Sequence, residues 1–522
     1  MILQKGLVFS ARKDPQKLAI VNDKHRYTYE QLETRAAKVQ ASLKNLGVQK
    51  GDRVGLLLLN DFRYVELMYG VTSFGALMVP MNVRFSAEEN LYVLRDAGVE
   101  VLYLNKEFIQ LVPIIKKEVP SVRHIILAED LEDESFQDEA DVLSYEALLE
   151  AEIASKLLMD EVTAEDVAGL FYTGGTTGRS KGVMLTHQNL VANAMHVVMN
   201  FNMHSDDIYL HASPMFHAAD QAASFALTFI GGTHVTLRQF TPKGLLETIE
   251  KEQVSLVMLV PTMINMMIYS ADFDKYDIST LRMILYGASP MAVELLKKSF
   301  EVMPHVDLIQ AYGMTEASPI LTLLLPKDHH VTEETEQRLA SCGKPVQFVE
   351  MKVIGDNGEE LGTNDIGEFV AKGPNIMKGY WNLEEETKKV FQEEWYHTGD
   401  MGYRDEDGFY YVVDRAKDMI ISGGENVYSV EVEQALYTHP AVLECAVFGS
   451  PDEKWGEIVR GAVVLKQGVE ATEEDILDHI RKQLANYKVP KSIEFLQELP
   501  KSGAGKILKR VIREQYAENT LS

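Results

Sequence analysis

Glycines, hydroxyl side chains and one lysine are concentrated in the segment YTGGTTGRSKG, which runs from Tyr172 to Gly182. Glycines allow a backbone to approach a polyphosphate and to point several N–H groups at it. Hydroxyl groups add further donors, and an ammonium group adds positive charge. The segment therefore predicts an anion site, the glycine loop, whose members are Thr173, Gly174, Gly175, Thr176, Thr177, Gly178 and Lys181.

Taken alone, the glycine loop is also compatible with a flexible turn. It is not a Walker A sequence, because Arg179 and Ser180 precede Lys181 where that pattern has glycine, and it is not GxGxxG. The run VAGLFYT before it is typical of a strand, and THQNLVANAMHVVMNF after it is typical of a helix. Since phosphate-binding loops commonly lie between a strand and a following helix, we expect that position here.

Four more segments combine glycines with polar and charged residues: YGMTEASP from Tyr312, YHTGD from Tyr396, DRAKDMIISGGEN from Asp414 and PKSGAGKILKR from Pro500. Together with the glycine loop, and in this order over nearly the whole chain, they resemble the adenylate-forming (AMP-binding) superfamily. Within it they are similar to the acyl-CoA synthetases and fatty-acid–CoA ligases. The usual family loop is SGTTG, and Gly175 stands at the serine here, which removes one hydroxyl donor and keeps the backbone cradle.

Alternating strand-like and helix-like segments must position these motifs. Thr28 with Gln31, and Ser86 with Glu89, have the spacing of capping boxes at helix starts. Apolar runs such as RVGLLLL and EVLYL, which separate the helices, are typical of buried strands. This β-then-α order recurs from residue 168 to about residue 325 and predicts an α/β fold with parallel strands covered on both faces.

From about Val346 the segments become shorter and turns separate them, which predicts antiparallel strands; after Asp414 the pattern indicates a small α+β domain. The resemblance implies the same division. It comprises a large N-terminal AMP-binding domain with doubly wound mixed sheets plus a β-rich subdomain, and a small α+β C-terminal lid domain. We expect the first to span residues 1–416 and the second residues 417–522.

The chain of 522 residues is long enough for two or more domains. Its net charge of −27 argues against general binding to nucleic acid or to an anionic membrane surface. The two cysteines, Cys342 and Cys445, lie far apart and predict neither a disulfide framework nor a zinc site. Since no segment has the pattern of a secretion signal or of a membrane span, we expect a cytoplasmic protein.

The resemblance implies a ligase that works in two steps. A carboxylate attacks the α-phosphate of MgATP, which gives an acyl-adenylate and diphosphate, and the thiol of CoA then takes the acyl group and releases AMP. The expected partners are a small-molecule carboxylic acid, ATP and CoA, with Mg²⁺ as cofactor and a homodimer as a possible assembly. Two alternatives are an adenylation enzyme that loads a carrier protein, and a P-loop phosphotransferase, which the broken Walker spacing disfavours.

Several residues receive nucleotide-binding roles from the resemblance. Glu316, beside Thr315, is the expected Mg²⁺ ligand, because one hard carboxylate with phosphate oxygens and waters suits that ion. Thr315 is also expected to contact the reacting groups. The adenine wall is expected to comprise Gly287, Ala288, Ser289, Gln310, Ala311, Tyr312, Gly313, Met314 and Thr315. The Tyr312 ring is expected to stack on the base, whereas a plain core position is its structural alternative.

Two further residues are expected at the ribose. Asp400 accepts hydrogen bonds from the ribose hydroxyls, because a carboxylate is a strong acceptor, and Arg415 lies near the ribose or the phosphates. Each has an ordinary structural alternative: Asp400 as a turn aspartate, and Arg415 in a salt bridge with Asp414 or Asp418. Glu316 likewise has the alternative of a surface or helix-cap acid.

The C-terminal motifs imply a moving lid. Lys506, which follows Gly503 and Gly505, is expected to bridge the carboxylate and the α-phosphate during adenylation, whereas most isolated lysines are solvated charges. Lys417 matches the hinge position of the family, about which the lid turns. The segment that then replaces Lys506 on the CoA side comprises Ser422, Gly423, Gly424 and Glu425.

The segment HASPMFHAADQAASFALTFIGGTHVTL, from His211 to Leu237, matches the part of the family that lines the acyl pocket. Amino-acid activators usually have aspartate directly after the phenylalanine, whereas here His217 follows Phe216 and Asp220 comes three residues later. His217 takes the aromatic gate position, with a satisfied core histidine as the alternative. The expected pocket residues are His217, Ala218, Gln221 and Ala222.

The acyl segment contains no lysine or arginine. A second carboxylate on the substrate would therefore be buried there without a partner, which is costly. We expect an acid with an apolar tail, with a medium-chain or long-chain fatty acid as the first candidate. Aryl acids and short or substituted acids are the alternatives.

Replacement of Lys506 tests the two-step interpretation. We expect Lys506→Ala to lose adenylate formation, since removal of one donor to a developing oxyanion costs about 3 kcal/mol in comparable sites. The same variant should still convert supplied acyl-adenylate and CoA to the thioester. Each half-reaction is measured separately, and an equal loss in both would contradict the assignment.

Overall fold

The computed structural model describes residues 1–130, 142–159, 162–173, 180–289, 291–329, 332, 336–415, 418–422, 425–452, 455–501 and 507–521. The helices of this part of the chain, α1 to α15 in order, are Gln4–Lys13, Tyr29–Asn45, Phe62–Thr72, Ala87–Ala97, Val112–Glu118, Tyr145–Ala151, His187–Asn200, Ala218–Ile230, Pro242–Glu252, Pro261–Ile268, Val293–Val302, Glu384–Val390, Ser429–Tyr437, Glu473–Arg481 and Lys509–Leu521.

The strands, β1 to β27 in order, are Leu18–Val21, Arg26–Thr28, Arg53–Leu57, Leu77–Pro80, Val101–Leu104, His124–Leu127, Val142–Ser144, Val167–Thr173, Lys181–Thr186, Ile208–His211, Thr233–Thr236, Leu256–Leu259, Met283–Gly287, Asp307–Gly313, Ile320–Leu324, Lys344–Pro345, Glu350–Ile354, Gly367–Lys372, Gly379–Tyr380, Phe391–Gln392, Trp395–Arg404, Tyr410–Arg415, Ile420–Ser422, Glu425–Val427, Val442–Asp452, Gly456–Leu465 and Ile493–Phe495.

Local capping determines where the early helices begin. The Thr28 side chain accepts from the backbone N–H of Gln31 and so completes the capping box of α2. Ser86 opens α4 in the same way, and Gly98 ends that helix with left-handed backbone, which glycine adopts without strain. Both predicted capping boxes are confirmed.

The first sheet has the strand order β19-β9-β8-β4-β3-β5-β6-β7 among the described residues. Strands β3 to β7 pair in parallel, and helices lie between β3 and β4, between β4 and β5 and between β5 and β6, as the β-then-α pattern predicts. Strand β8 joins β4 in parallel, whereas β9 runs antiparallel to β8. The end of the sheet that carries the glycine loop is therefore mixed.

The second sheet has the order β16-β15-β14-β13-β12-β10-β11-β1-β2 among the described residues. Strands β10 to β14 are parallel, and β15 and β16 are antiparallel additions at one edge. Parallel strands bring their carboxyl ends to one edge of a sheet, and open α/β sheets bind ligands there. The ends of β13 and β14 lie side by side at that edge.

A third sheet, built from β17, β18, β20, β21 and β22, is antiparallel as expected. The C-terminal sheet combines β23 to β27 and is covered by α13, α14 and α15. The α/β class is confirmed: a large N-terminal region contains the mixed sheets and the antiparallel sheet, and a smaller α+β region follows. Within the residues described, none of the helices has the length and apolar character needed to cross a bilayer.

Buried histidines on α7 make the fold sensitive to acid. His187 and His196 are almost completely buried, and burial lowers the pKa of each ring to about 4. Unfolding exposes these rings, whose ordinary pKa is about 6.5, so the unfolded chain binds more protons below that pH. Their contribution to stability is therefore lost as the pH falls from about 6.5 toward 4.

Replacement of His196 should reduce this acid sensitivity. From pH 7.5 to pH 5.5 we expect the free energy of unfolding of His196→Gln to fall by about 1 kcal/mol less than that of the unchanged protein. Urea unfolding at the two pH values measures the difference. His204→Gln, which alters an exposed histidine, is the matched control. An identical pH dependence in both variants would contradict the expectation.

Candidate active site

The glycine loop lies within a hairpin, which corrects the expected strand-to-helix position. β8 and β9 pair antiparallel, with Thr173 opposite Lys181, and α7 begins only after β9. The run KGVMLT forms a strand because Val183 and Leu185, two residues apart, are both fully buried, which is the period of a strand. Both ends of the loop are described, whereas Gly174, Gly175, Thr176, Thr177 and Gly178 lie outside the described residues.

A close approach inside the hairpin requires glycine at position 182. Gly182 is paired with Tyr172, and a Cβ there would lie 3.0 Å from the Tyr172 ring. The Tyr172 hydroxyl donates to Asp96 Oδ2 at 2.6 Å, which fastens the end of β8 to α4. The backbone on both sides of the loop is thus held by pairing and by a side-chain hydrogen bond.

Lys181 is held by two residues that the sequence analysis did not identify. Its Nζ lies 2.7 Å from Glu386 Oε2 and 5.0 Å from the centroid of the Tyr380 ring. Tyr380 reaches this position because β19 pairs with β9, so that Tyr380 stands opposite Val183. Both residues are about 200 positions away in sequence, and the pairing of β19 has no local sequence signal.

Glu316 lies in a single 3₁₀ turn, Thr315–Ala317, that follows β14. Its Oε1 accepts a hydrogen bond from the Tyr380 hydroxyl at 2.9 Å. Burial raises the pKa of the Glu316 carboxyl, and this is partly offset by that hydrogen bond and by the charge of Arg415. Tyr380 therefore touches both Lys181, through its ring, and Glu316, through its hydroxyl.

The predicted adenine wall forms the edge where β13 and β14 end. Gly287 is paired with Ala311, and a Cβ at Gly287 would lie 2.3 Å from the Ala311 carbonyl oxygen. Ala288 continues from β13 with a φ of 66°, and Gly313 lies at the end of β14. All nine wall residues lie on or just beyond these two strands: Gly287, Ala288, Ser289, Gln310, Ala311, Tyr312, Gly313, Met314 and Thr315.

Tyr312, Asp400 and Arg415 meet at this edge although they lie on three different strands. The Tyr312 hydroxyl donates to Asp400 Oδ2 at 2.8 Å, and Arg415 Nε lies 3.2 Å from Asp400 Oδ1. Arg415 is the cross-strand partner of Asp400 in the third sheet. The guanidinium of Arg415 thus pairs with Asp400, whereas Asp414 accepts the backbone N–H of Arg415 and Asp418 pairs with Arg513.

The acyl segment forms helix α8, which His217 precedes as N-cap. Burial lowers the pKa of His217 to about 4, so its ring is neutral near neutral pH. In the described part of the chain, His217 Nε2 and Gln221 Oε1 are buried polar atoms without a hydrogen-bond partner. Ala218 and Ala222 are buried on the same helix, one turn apart.

Asp220 is directed into a buried polar network and not toward a substrate. It is fully buried, and it accepts from the Tyr209 hydroxyl at 3.0 Å and from His211 Nδ1 at 2.7 Å. His211 Nε2 lies 3.0 Å from His234 Nδ1, whose ring stacks on His211. Because its carboxylate is already satisfied, Asp220 offers no partner for a substrate ammonium group.

The C-terminal site residues lie apart from this cluster or outside the described residues. Ser422 and Glu425 are paired with each other across the β23–β24 hairpin, within the C-terminal sheet. Lys417, Gly423, Gly424 and Lys506 lie outside the described residues. The structure therefore brings together Lys181, Glu316, Tyr312, Asp400 and Arg415, and gives no contact between them and Ser422 or Glu425.

Comparison with known proteins agrees with this architecture. The AMP-binding enzyme family model matches residues 8–381, and the AMP-binding enzyme C-terminal domain model matches residues 431–506. A feruloyl-CoA synthase from Amycolatopsis sp is 36% identical, with 97% of each chain covered. A long-chain-fatty-acid–CoA ligase from Bacillus subtilis (strain 168) is also 36% identical, with 99% of this chain and 95% of the relative covered.

A solved structure has the same fold over the full length. An anthranilate CoA ligase in complex with anthranoyl-AMP has a TM-score of 0.92 and 28% identity, and the match covers 100% of this chain and 98% of that one. The fold and the matched family models thus define an adenylate-forming enzyme. The chain belongs to the AMP-binding enzyme family and is an AMP-forming CoA ligase, for which ATP and CoA are substrates.

The buried network around Asp220 predicts a large loss of stability on truncation. Asp220→Ala leaves the Tyr209 hydroxyl and His211 Nδ1 unpaired in the core, which should lower the free energy of unfolding by about 2–5 kcal/mol. Asp220→Asn retains an acceptor and should cost less. Urea unfolding at pH 7.5 measures both variants. A loss below about 1 kcal/mol for Asp220→Ala would show that the network contributes little.

Proposed function

We propose that this enzyme converts a carboxylic acid with an apolar tail, ATP and CoA to acyl-CoA, AMP and diphosphate, and that the acid is a medium-chain or long-chain fatty acid. The observation that carries the proposal is the uncharged lining of a small apolar cavity between α7, α8 and the second sheet, whose free volume is about 10 Å³. Its wall includes Val197, Phe201, Ala223, Met283 and Leu285. None of the residues that line it is charged, so a second carboxylate would have no partner there.

The cavity and the proposed nucleotide-binding edge share strand β13. Met283, Leu285 and Gly287 alternate along β13 and so share one face of that strand. Ala223 in the cavity wall lies about half a turn beyond Gln221 and follows Ala222 in α8. A carboxylate activated near Gly287 and His217 would therefore direct its tail along α8 into apolar surroundings. In this proposal His217, Ala218, Gln221 and Ala222 form the wall nearest the carboxylate.

The cavity must widen before it can hold an acyl tail, since its free volume is about 10 Å³ and ligand pockets are commonly about 300–1,000 Å³. An aryl or phenylpropenoic acid is the second candidate. It is favoured by the similarity to a feruloyl-CoA synthase and to an anthranilate CoA ligase. Transfer to the thiol of a carrier protein instead of CoA is a third arrangement, and it has no specific support in the residues described.

The nucleotide roles follow from charge and position. In the first step a substrate carboxylate oxygen bonds to the α-phosphorus, and the bond to the β-phosphate oxygen breaks as diphosphate leaves. The glycine loop and Lys181 would stabilise the charge that develops on diphosphate. Asp400 and Arg415 would bind the ribose, while Tyr312 and the wall from Gly287 to Ser289 enclose the base. In the second step the CoA sulfur bonds to the acyl carbon, AMP departs with the oxygen, and the thiol proton is released.

Glu316 fits the requirements of a Mg²⁺ ligand. Its carboxylate is a hard oxygen donor, and the hydroxyl of Tyr380 binds Oε1 and so orients the group. A bound Mg²⁺ would neutralise charge on the phosphates. The position of Glu316 directly after Thr315 would place the carboxylate at the phosphate end of the adenine wall.

The remaining assignments concern the C-terminal region. We assign the lid to residues 417–522, with Lys417 as its hinge, Lys506 as the cation of adenylation, and the segment from Ser422 to Glu425 on the CoA side. A cytoplasmic location and a homodimer complete the proposal. Support for the boundary comes from the change to α13 and the C-terminal sheet shortly after β22.

A panel of acids tests the proposed reaction. Purified enzyme is given ATP, Mg²⁺ and CoA with saturated acids of increasing length, ferulate and benzoate, and AMP and acyl-CoA are both quantified. We expect AMP only when an acid is present, with the highest kcat/KM for a medium-chain or long-chain acid. Preference for ferulate would select the aryl alternative, and the absence of AMP with every acid would overturn the proposal.

Ala223 should limit chain length if the cavity receives the acyl tail. Ala223→Val narrows the cavity and should lower kcat/KM for long acids by about tenfold or more, since one methylene in a hydrophobic pocket changes kcat/KM about 10–200-fold. Butyrate serves as the internal control and should lose little. A parallel decrease for all chain lengths would contradict this location of the tail.

A further inference from the structure

The ion pair between Lys181 and Glu386 has no part in the roles proposed above. We propose that Glu386 is a positioning residue: it pairs with Lys181 before nucleotide binds, yields Lys181 to the phosphates, and is then held by Lys389. The inference rests on the proposed function, in which Lys181 contacts those phosphates. It adds a residue that sets nucleotide affinity and diphosphate release.

The geometry divides one carboxylate between two ammonium groups. Glu386 Oε2 lies 2.7 Å from Lys181 Nζ, and Glu386 Oε1 lies 2.6 Å from Lys389 Nζ. Lys181 belongs to β9 of the first sheet, whereas Lys389 belongs to α12, the same short helix as Glu386, at the i+3 position. Glu386 can therefore lose its contact with the site and keep an ion pair on its own helix.

Lys181 itself is held in place from a second direction. The Tyr380 ring lies 5.0 Å from Lys181 Nζ, and the Tyr380 hydroxyl donates to Glu316. When Glu386 leaves, this ring still supports the ammonium group by a cation–π contact. The ammonium group therefore stays at the end of the glycine loop while its anionic partner is exchanged.

Electrostatic repulsion forces the exchange. A phosphate that binds Lys181 comes within a few ångströms of the Glu386 carboxylate, and like charges at that distance repel. Proton uptake cannot relieve the repulsion near neutral pH, because hydrogen bonds from Lys181 and Lys389 lower the pKa of Glu386 to about 2. Movement of the carboxylate toward Lys389 is the remaining route, and about a third of the Glu386 side chain is already exposed.

The ion pair between Glu386 and Lys181 should change the affinity for ATP in one direction. Glu386 competes with nucleotide for Lys181 and so weakens ATP binding, and it recaptures Lys181 when diphosphate leaves. Because the pair is partly exposed, the effect is modest: exposed ion pairs correspond to about two- to fivefold in an equilibrium constant. Lys389 acts in the opposite direction, since it stabilises the state in which Glu386 has left Lys181.

The test measures equilibrium binding of MgATP in the absence of any acid, by calorimetry, with two substitutions of opposite expected sign. Glu386→Gln should lower the Kd for MgATP about two- to fivefold, whereas Lys389→Gln should raise it. The matched controls are Glu385→Gln and Lys388→Gln, which remove the same charges from the neighbouring pair on α12. Both controls should leave the Kd within the error of the unchanged enzyme.

Two further measurements separate positioning from a structural effect. In steady state with an accepted acid and CoA, Glu386→Gln should lower the KM for ATP and make diphosphate a stronger inhibitor. The double variant Glu386→Gln/Lys389→Gln should bind MgATP like Glu386→Gln alone, because Lys389 acts only through Glu386. A weaker MgATP affinity in Glu386→Gln, or equal effects of Glu386→Gln and Glu385→Gln, would overturn the inference.

Lys181→Ala distinguishes this inference from the proposed function. A raised Kd for MgATP in Lys181→Ala, together with no change in Glu386→Gln, overturns only the role of Glu386. An unchanged Kd in Lys181→Ala removes the proposed contact between Lys181 and phosphate, and the inference falls with it. If Lys181→Ala raises the Kd for MgATP, Glu386→Gln lowers it and Lys389→Gln raises it, the results support both the role of Glu386 and the proposed contact between Lys181 and phosphate.

Discussion

Two cations proposed to contact the nucleotide, Lys181 and Arg415, are each paired with a carboxylate, Glu386 and Asp400 respectively. In a chain whose net charge is −27, an unpaired cation facing a narrow cleft would be attractive to many anions. Pairing fixes the positions of both charges before a substrate is present. The surrounding strands position both pairs: Lys181 and Glu386 are distant in sequence, whereas Asp400 and Arg415 are cross-strand partners on β21 and β22.

Features encoded by neighbouring residues could be predicted from the sequence. The capping boxes of α2 and α4 depend on side chains three positions apart, and the alternation of apolar strands and helices indicated the parallel sheets. The set of motifs identified the residues that meet at Asp400. In contrast, the predicted connection after the glycine loop was wrong. Its helix-like continuation was recognised correctly, but the six-residue strand β9 between loop and helix was overlooked.

The residues around Lys181 were beyond sequence reasoning for a physical reason. Tyr380 and Glu386 reach it only because the two-residue strand β19 pairs with β9, and such a short strand has no detectable period.

The orientation of the Asp220 side chain could not be predicted from the sequence either. Asp220 comes three residues after His217, and the helix directs its side chain toward β10, where Tyr209 and His211 satisfy it. Which face of a helix meets solvent or substrate depends on packing partners that are distant in sequence.

The proposed acyl cavity and the proposed nucleotide-binding residues occupy different parts of the fold, which has an evolutionary consequence. The residues proposed to bind nucleotide lie at strand ends and in loops, whereas the cavity proposed for the acyl tail is bordered by side chains from the middle of α8 and the interior of β13. Substitutions that reshape the cavity need not disturb the backbone that holds the phosphates. Ligases that descend from one ancestor could therefore evolve to accept different carboxylic acids through changes in a few apolar side chains, while the activation chemistry is retained.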